Sequence, residues 1–264
     1  MPLDYVVDVV GRDGPAILLL PGGASPSRGF FPGMDRLPGH RIVSLDRPGT
    51  GRAASTGPAT LTTGADAAAA ALRETGCAPA VVLGQSLGGA VAMQLAIDHP
   101  DVVSGLVLID PTPFNDPIVC RQARWLFEAL ALPTRLPYVG ARLDAAIWQS
   151  FGSKIPLADD DEARQGWRVL TSVTLATTTR AVRTLAADGA ALTDRLRPLG
   201  IPMVLLAAER KPGSRIHRAH EQLVQVLGGR IESWPGAIHA EHLHRPEKIV
   251  ELVRDLAAET ASAR

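Results

Sequence analysis

Residues Ala80–His99 read AVVLGQSLGGAVAMQLAIDH, and this stretch decides the fold. Ala80–Leu83 is a short apolar run, long enough for a buried strand. Gly84-Gln85-Ser86-Leu87-Gly88 follows, and then an apolar-rich run that suits a helix. The pattern is G-x-S-x-G between a strand and a helix, the spacing that presents a nucleophilic serine. Such a serine projects from a very tight turn with a strained backbone. Glycines two before and two after it leave room where a Cβ would strike the neighbouring strand and helix. The N-terminus of that helix also aims backbone N–H groups at any anion forming beside Ser86. A glycine-rich turn with an ordinary surface serine is the plainer alternative, and the flanking strand and helix argue against it.

On either side of this unit, strands alternate with helices. Leu3–Val10, Ala16–Leu20, His40–Asp46, Gly105–Asp110, Ile201–Ala207 and Arg230–Trp234 read as strands. Leu61–Thr75 reads as an alanine-rich helix and Pro246–Ala258 as a closing amphipathic one. This alternation predicts an α/β fold, a mostly parallel sheet flanked by helices on both faces. About ninety residues separate the strands ending at Asp110 and beginning at Ile201, too many for a loop in a compact domain. That segment carries Phe114, Trp125, Phe127, Tyr138, Trp148, Phe151 and Trp167, with Pro133, Pro137 and Pro156 as punctuation. It predicts an inserted helical cap over residues 112–195, on a core made of residues 1–111 and 196–264. Most of those aromatics build the cap's own interior, and one or two line a pocket.

The 264 residues suffice for a substantial core, and 27 Lys and Arg balance 27 Asp and Glu. A net charge near zero gives no case for a nucleic acid or a membrane surface as partner. The N-terminal MPLDYVVDVVGRDG lacks the basic start of a secretory signal, and no apolar run reaches the length of a membrane span. Cys77 and Cys120 are too few for a disulfide scaffold and have no metal-type spacing. A cytoplasmic protein with reduced cysteines is the expectation, with a small molecule as substrate. The oligomeric state is not legible.

Four motifs in order resemble the α/β-hydrolase family, and the resemblance covers nearly the whole chain outside the cap. The first is Leu18-Leu19-Leu20-Pro21-Gly22-Gly23, similar to the family's oxyanion loop. The second is Asp46-Arg47-Pro48-Gly49-Thr50-Gly51-Arg52, similar to its D-x-x-G-x-G-x-S turn. The elbow Gly84–Gly88 is the third. The last is Pro235-Gly236-Ala237-Ile238-His239, similar to the loop that carries the catalytic histidine. The resemblance implies Ser86 as nucleophile, His239 as general base, and backbone N–H groups of Gly23 and Leu87 as the oxyanion hole. Pro21 stands where the family usually has histidine, and its fixed φ could stiffen the same turn. Lys211 stands where many members place the acid, and a lysine cannot accept a histidine N–H.

Two carboxylates remain as the acid. Asp110 lies twenty-four residues after Ser86, room for one helix, one turn and one strand, so it should emerge beside the serine. Glu209 is the alternative, two positions from the usual place. Both keep the chain order nucleophile, acid, histidine. Gly49-Thr50-Gly51-Arg52-Ala53-Ala54 also fits a dinucleotide fingerprint, but Ser55-Thr56-Gly57-Pro58 argues against the helix such a site needs. His217, His220, His239, His242 and His244 match no zinc motif, with His242 and His244 expected at the surface or pocket rim. Arg210 and Lys211 are either solvated or meet an acidic substrate group. The resulting expectation is a serine hydrolase of a carboxylic ester, thioester or lactone of a fairly apolar small molecule, with no cofactor and no metal. A ligand-binding homologue with little turnover, or a lyase or cyclase using the same serine and histidine, are the alternatives.

Overall fold

The computed structural model describes residues 4–53 and 59–262. The expected strand start at Leu3 and the Ser55–Pro58 stretch lie outside the described residues. The chain runs β1 (Val6–Val10), β2 (Ala16–Leu20), β3 (Arg41–Asp46), α1 (Leu61–Glu74), β4 (Ala80–Gln85), α2 (Leu87–Asp98) and β5 (Val103–Ile109). Five helices follow, α3 (Pro117–Ala131), α4 (Gly140–Gly152), α5 (Asp161–Leu170), α6 (Leu175–Val182) and α7 (Leu185–Thr193). The chain closes with β6 (Met203–Leu206), α8 (Arg215–Leu227), β7 (Arg230–Glu232), α9 (Glu241–His244) and α10 (Pro246–Ser262).

The strands form one sheet in the order β1-β3-β2-β4-β5-β6-β7, with β1 antiparallel to β3 and every other pairing parallel. Every residue of β2, β4 and β6 is buried, as a parallel sheet covered on both faces requires. The two-residue period divides these strands between two cores. Leu18, Leu20, Val82, Leu106, Leu108 and Leu205 pack toward α1 and α2. Ile17, Leu19, Leu83, Val107, Ile109 and Val204 pack toward α10 and Phe30–Phe31. Helix α2 is buried from Leu87 to Ile97, which explains its apolar composition all round. From the inserted helices, Cys120, Val182, Leu185 and Leu192 join the core on the α1–α2 side. Among the described residues no helix is long and apolar enough to cross a membrane.

Every expected strand forms, with ends shifted by up to three residues, and the helix at Leu61 is capped by the Thr60–Thr63 capping box. Helix α8 was not anticipated from the sequence. It supplies the crossover that parallel β6 and β7 need. The strand-to-helix approach at the elbow is set by glycine. A Cβ on Gly88 would lie 2.0 Å from the Leu20 carbonyl oxygen, and one on Gly84 would lie 2.7 Å from the Gly88 oxygen.

His242 corrects an expectation. It is buried rather than at the pocket rim, stacked on Phe30 at 4.7 Å between ring centroids. Neither ring nitrogen has a hydrogen-bond partner. Burial, aided by the nearby His239, pushes its pKa down to about 3. The sequence put His242 near a reactive histidine and therefore near solvent. The short helix α9 instead turns it under the loop against Phe30 and Phe31.

Two outcomes test this packing. Gly88→Ala should cost about 3 kcal/mol or more, lowering Tm by about 6–12 °C. Gly76→Ala, at φ 63 with nothing within 4 Å of the added carbon, should cost about 1 kcal/mol. Equal losses would refute the contact argument. His242 binds a proton in the unfolded chain near 6.5 but in the folded chain only near 3, so stability falls as pH drops through that window. His242→Phe removes this titration. Between pH 7.5 and 4.5, urea unfolding should show the variant losing about 2–3 kcal/mol less than the parent. An unchanged pH slope would refute it.

Candidate active site

Ser86 ends β4 at φ 51 and ψ −118, a conformation that side chains rarely adopt. Hydrogen bonds hold it there. Its N–H donates to Ile109 O at 3.0 Å, and its carbonyl accepts from Gly89 N at 3.0 Å and Thr112 N at 2.9 Å. The elbow is thus stapled to the end of β5. A Cβ on Gly22 would lie 2.0 Å from Gln85 Oε1 and 3.1 Å from Ser86 Cβ, so a larger residue there would displace the Gln85 side chain and crowd the serine. The Ser86 hydroxyl rests 3.4 Å from Thr112 Oγ1, its side-chain partner among the described residues.

Asp110 directly follows β5 and is itself at φ 40. Its N–H donates to Leu206 O at 2.7 Å, tying it to the end of β6. The carboxylate is 2 % exposed. Oδ1 accepts from Ala208 N at 3.1 Å and Arg210 Nη1 at 2.5 Å. Oδ2 accepts from Arg210 Nη2 at 2.5 Å and His239 Nδ1 at 2.5 Å. Burial pushes this carboxyl up, but the hydrogen bonds and charges of Arg210 and His239 overcome burial and hold it well below the usual carboxylate range. The Nδ1–H bond leaves His239 Nε2 with a free lone pair. Arg210 thus commits its fork to Asp110, while its side chain stays partly exposed and lines the cavity.

Glu209 points elsewhere: its Oε2 accepts from Gly236 N at 2.6 Å. Lys211 is exposed at the next position. His239 has a 55 % exposed side chain on a backbone pinned from two sides. Gln85 Nε2 donates to His239 O at 2.9 Å, and Ile238 N donates to the buried Glu241 at 2.8 Å. Arg245 also bonds Glu241, and His244 Nδ1 lies 3.5 Å from it. His220, which the sequence offered only as half of a histidine pair, is fully buried beside the site. Its Nε2–H donates to Pro111 O at 2.8 Å, and its Nδ1 lies 4.0 Å from Asp110 Oδ1.

The loop holding Gly23 is braced by a residue that sequence reasoning missed. Arg47 Nη2 donates to Pro21 O and Gly23 O, both at 3.0 Å. Burial pushes its guanidinium down to about 10 against the opposing Asp46 charge. Asp46 accepts from Ser27 N at 2.6 Å and from Arg52 N at 3.0 Å, joining the same loop to the turn after β3. Gly51 packs on that carboxylate, where a Cβ would lie 2.7 Å from Asp46 Cγ. Gly51 thus serves Asp46, and a short 3-10 turn at Gly51–Ala53 stands where a dinucleotide site would need a helix. The D-R dipeptide was the available signal for the brace.

Ser86, Asp110 and His239 share the lining of one cavity of about 450 Å³, with Gly23 and Leu87 beside the serine. The far wall is apolar and comes from the inserted helices, including Phe127, Leu130, Trp148, Phe151 and Trp167. Among the described residues no group of three His, Cys, Asp or Glu is placed to hold a metal ion.

Comparisons with known proteins identify the family. Residues 17–252 match the model of the alpha/beta hydrolase family. The chain is 35% identical to lipase LipV of Mycobacterium tuberculosis over 179 residues, covering 64% of this chain and 68% of the relative. It is 28% identical over 237 residues to a pimeloyl-[acyl-carrier protein] methyl ester esterase of Photorhabdus laumondii, covering 84% and 83%. An esterase structure from Thermogutta terrifontis superposes with a TM-score of 0.74 at 20% identity, covering 98% of this chain and 94% of the other. With its strand order, its serine turn and this match over most of its length, the chain belongs to the alpha/beta hydrolase family.

Proposed function

We propose that the chain is an ester hydrolase working through an acyl-enzyme on Ser86. The observation that carries this reading is the 2.5 Å bond from His239 Nδ1 to the buried Asp110, in the cavity that also holds the strained Ser86. That bond leaves Nε2 as the proton acceptor. The Ser86 hydroxyl swings from Thr112 toward the imidazole, as catalytic hydrogen bonds often tighten only with substrate bound. Its oxygen attacks the carbonyl, and His239 takes the proton. Backbone N–H groups of Gly23 and Leu87 stabilise the oxyanion. His239 then protonates the leaving group, and water, deprotonated by the same imidazole, releases the acid and restores Ser86. Asp110 holds the tautomer and offsets the imidazolium charge.

The apolar cavity supports a fairly apolar carboxylic ester, thioester or lactone as substrate. Residues 112–195 act as the cap that covers it, on the core of residues 1–111 and 196–264. The relatives named lipase and methyl ester esterase support ester chemistry in the same way.

Ser86→Ala should fold and lose on the order of 10⁶ in kcat. A fluorophosphonate should label the parent at Ser86, read by peptide mass spectrometry. A folded parent that resists labelling would favour a binding protein instead. Asp110→Asn should lose on the order of 10⁴ in kcat through the wrong imidazole tautomer. Glu209→Gln should change kcat little, and the reverse ranking would overturn the choice of acid.

A further inference from the structure

We propose that Arg210 is a positioning residue for the catalytic histidine, acting solely through Asp110. Its guanidinium fixes the plane of the Asp110 carboxylate and balances its buried charge, so that Oδ2 faces His239. The inference rests on the hydrolase reading above and adds a residue to its machinery.

The hydrogen bonds of Asp110 define the role. A carboxylate has about four lone-pair sites, and here each meets a donor: Ala208 N–H, two Arg210 N–H groups and His239 Nδ1–H. Ala208 N–H and His239 would by themselves hold one oxygen each through a single bond, a looser restraint on rotation about the Cβ–Cγ bond. The planar fork of Arg210 holds both oxygens at 2.5 Å and locks the plane of the carboxylate. The charge argument is separate. An ionised carboxylate that is 2 % exposed is costly unless paired.

The groups facing Asp110 come from three elements: Arg210 after β6, His239 after β7, and His220 on α8. His220 supplies no fixed charge. Its Nε2–H is committed to Pro111 O, its Nδ1 has no partner, and burial pushes its pKa down against the pull of Asp110. Arg210 is then the permanent cation at this carboxylate among the described residues. Both of its terminal nitrogens point at Asp110, with Nη1 also 3.3 Å from Ala208 O. Arg210 also lines the cavity, with 22 % of its side chain exposed, and an unchanged KM is what separates action through the carboxylate from contact with substrate. The placement also accounts for the missing acid after β6. That loop sends a cation back to a carboxylate one strand away, in place of an acid toward the histidine.

A double-mutant cycle with kcat and KM on a dissolved short-chain ester tests this. Arg210→Met should lower kcat on the order of 10²-fold and leave KM unchanged. Arg210→Lys keeps the charge without the fork and should fall between Met and the parent. Asp110→Asn/Arg210→Met should be no slower than Asp110→Asn alone, because no carboxylate remains to position. The neutral Asn–Met pair also avoids an unpaired buried charge, so this variant folds even if Arg210→Met does not. Multiplying losses, a changed KM, or an Arg210→Met variant within twofold of the parent would each overturn the proposal. A readout that needs no turnover separates its failure from that of the hydrolase reading. The low-field proton NMR resonance of the His239–Asp110 bond should persist in Ser86→Ala and vanish or move in Arg210→Met. An unmoved resonance in Arg210→Met refutes the role of Arg210 even if the ester is hydrolysed. Its loss there supports that role even if Ser86→Ala shows that the ester is not cleaved at this serine.

Discussion

The Asp110 carboxylate ties the working edge of the sheet together. It follows β5, yet its donors come from the segments after β6 and β7. Three consecutive strand ends thus converge on one buried charge. A charge in that position cannot be left partly satisfied, because a buried ion with a missing partner costs about 3–5 kcal/mol. The demand runs outward. Ala208 must present its N–H, Arg210 must fold back over its own strand end, and the His239 loop must return to the sheet. The reactive geometry is a consequence of satisfying that ion.

Strain concentrates at the same edge. Ser86 and Asp110 are two of the three non-glycine residues with positive φ among the described residues. Each such conformation costs about 1–3 kcal/mol and persists only where its surroundings overdetermine it. Here the two strained residues help hold each other. Ser86 donates to Ile109 O and accepts from Thr112 N, the residues that bracket Asp110-Pro111. Serine and acid are positioned by one local set of backbone bonds across β4 and β5. Close glycine contacts at Gly84 and Gly88 keep α2 near enough for Leu87 to begin its helix beside the serine.

The loops around the cavity follow a common rule. They lack ladder partners, so their backbone groups must be satisfied otherwise. Buried ions do this work: Asp46 takes Ser27 N–H, Arg47 donates to Pro21 and Gly23 carbonyls, and Glu241 takes Ile238 N–H. Arg47 braces the loop on both sides of Gly22. Each ion fixes an irregular segment without spending a strand or helix on it. The apolar far wall of the cavity is left to the inserted helices.

The strands and the elbow were legible in the chain, because each rests on short-range periodicity or spacing, and the order of candidate nucleophile, acid and histidine came with the resemblance to a family. The interval from Ser86 to Asp110 holds one helix and one strand, so Asp110 was reachable by counting. Arg210 on Asp110, Arg47 on the Gly23 loop and the burial of His242 were not legible. The first two join residues 100 and 24 apart in the chain, and the third depends on a stack with a ring from the opposite end of the sequence. Local sequence determines which conformations a segment prefers. Which charge meets which, and which polar group loses water, depends on distances that exist only once the sheet has assembled. The sequence by itself therefore determined the scaffold and the candidate serine and histidine, while the tertiary structure chose between the two candidate carboxylates and decided how the charges are held, because pairing and desolvation are properties of contacts and not of segments.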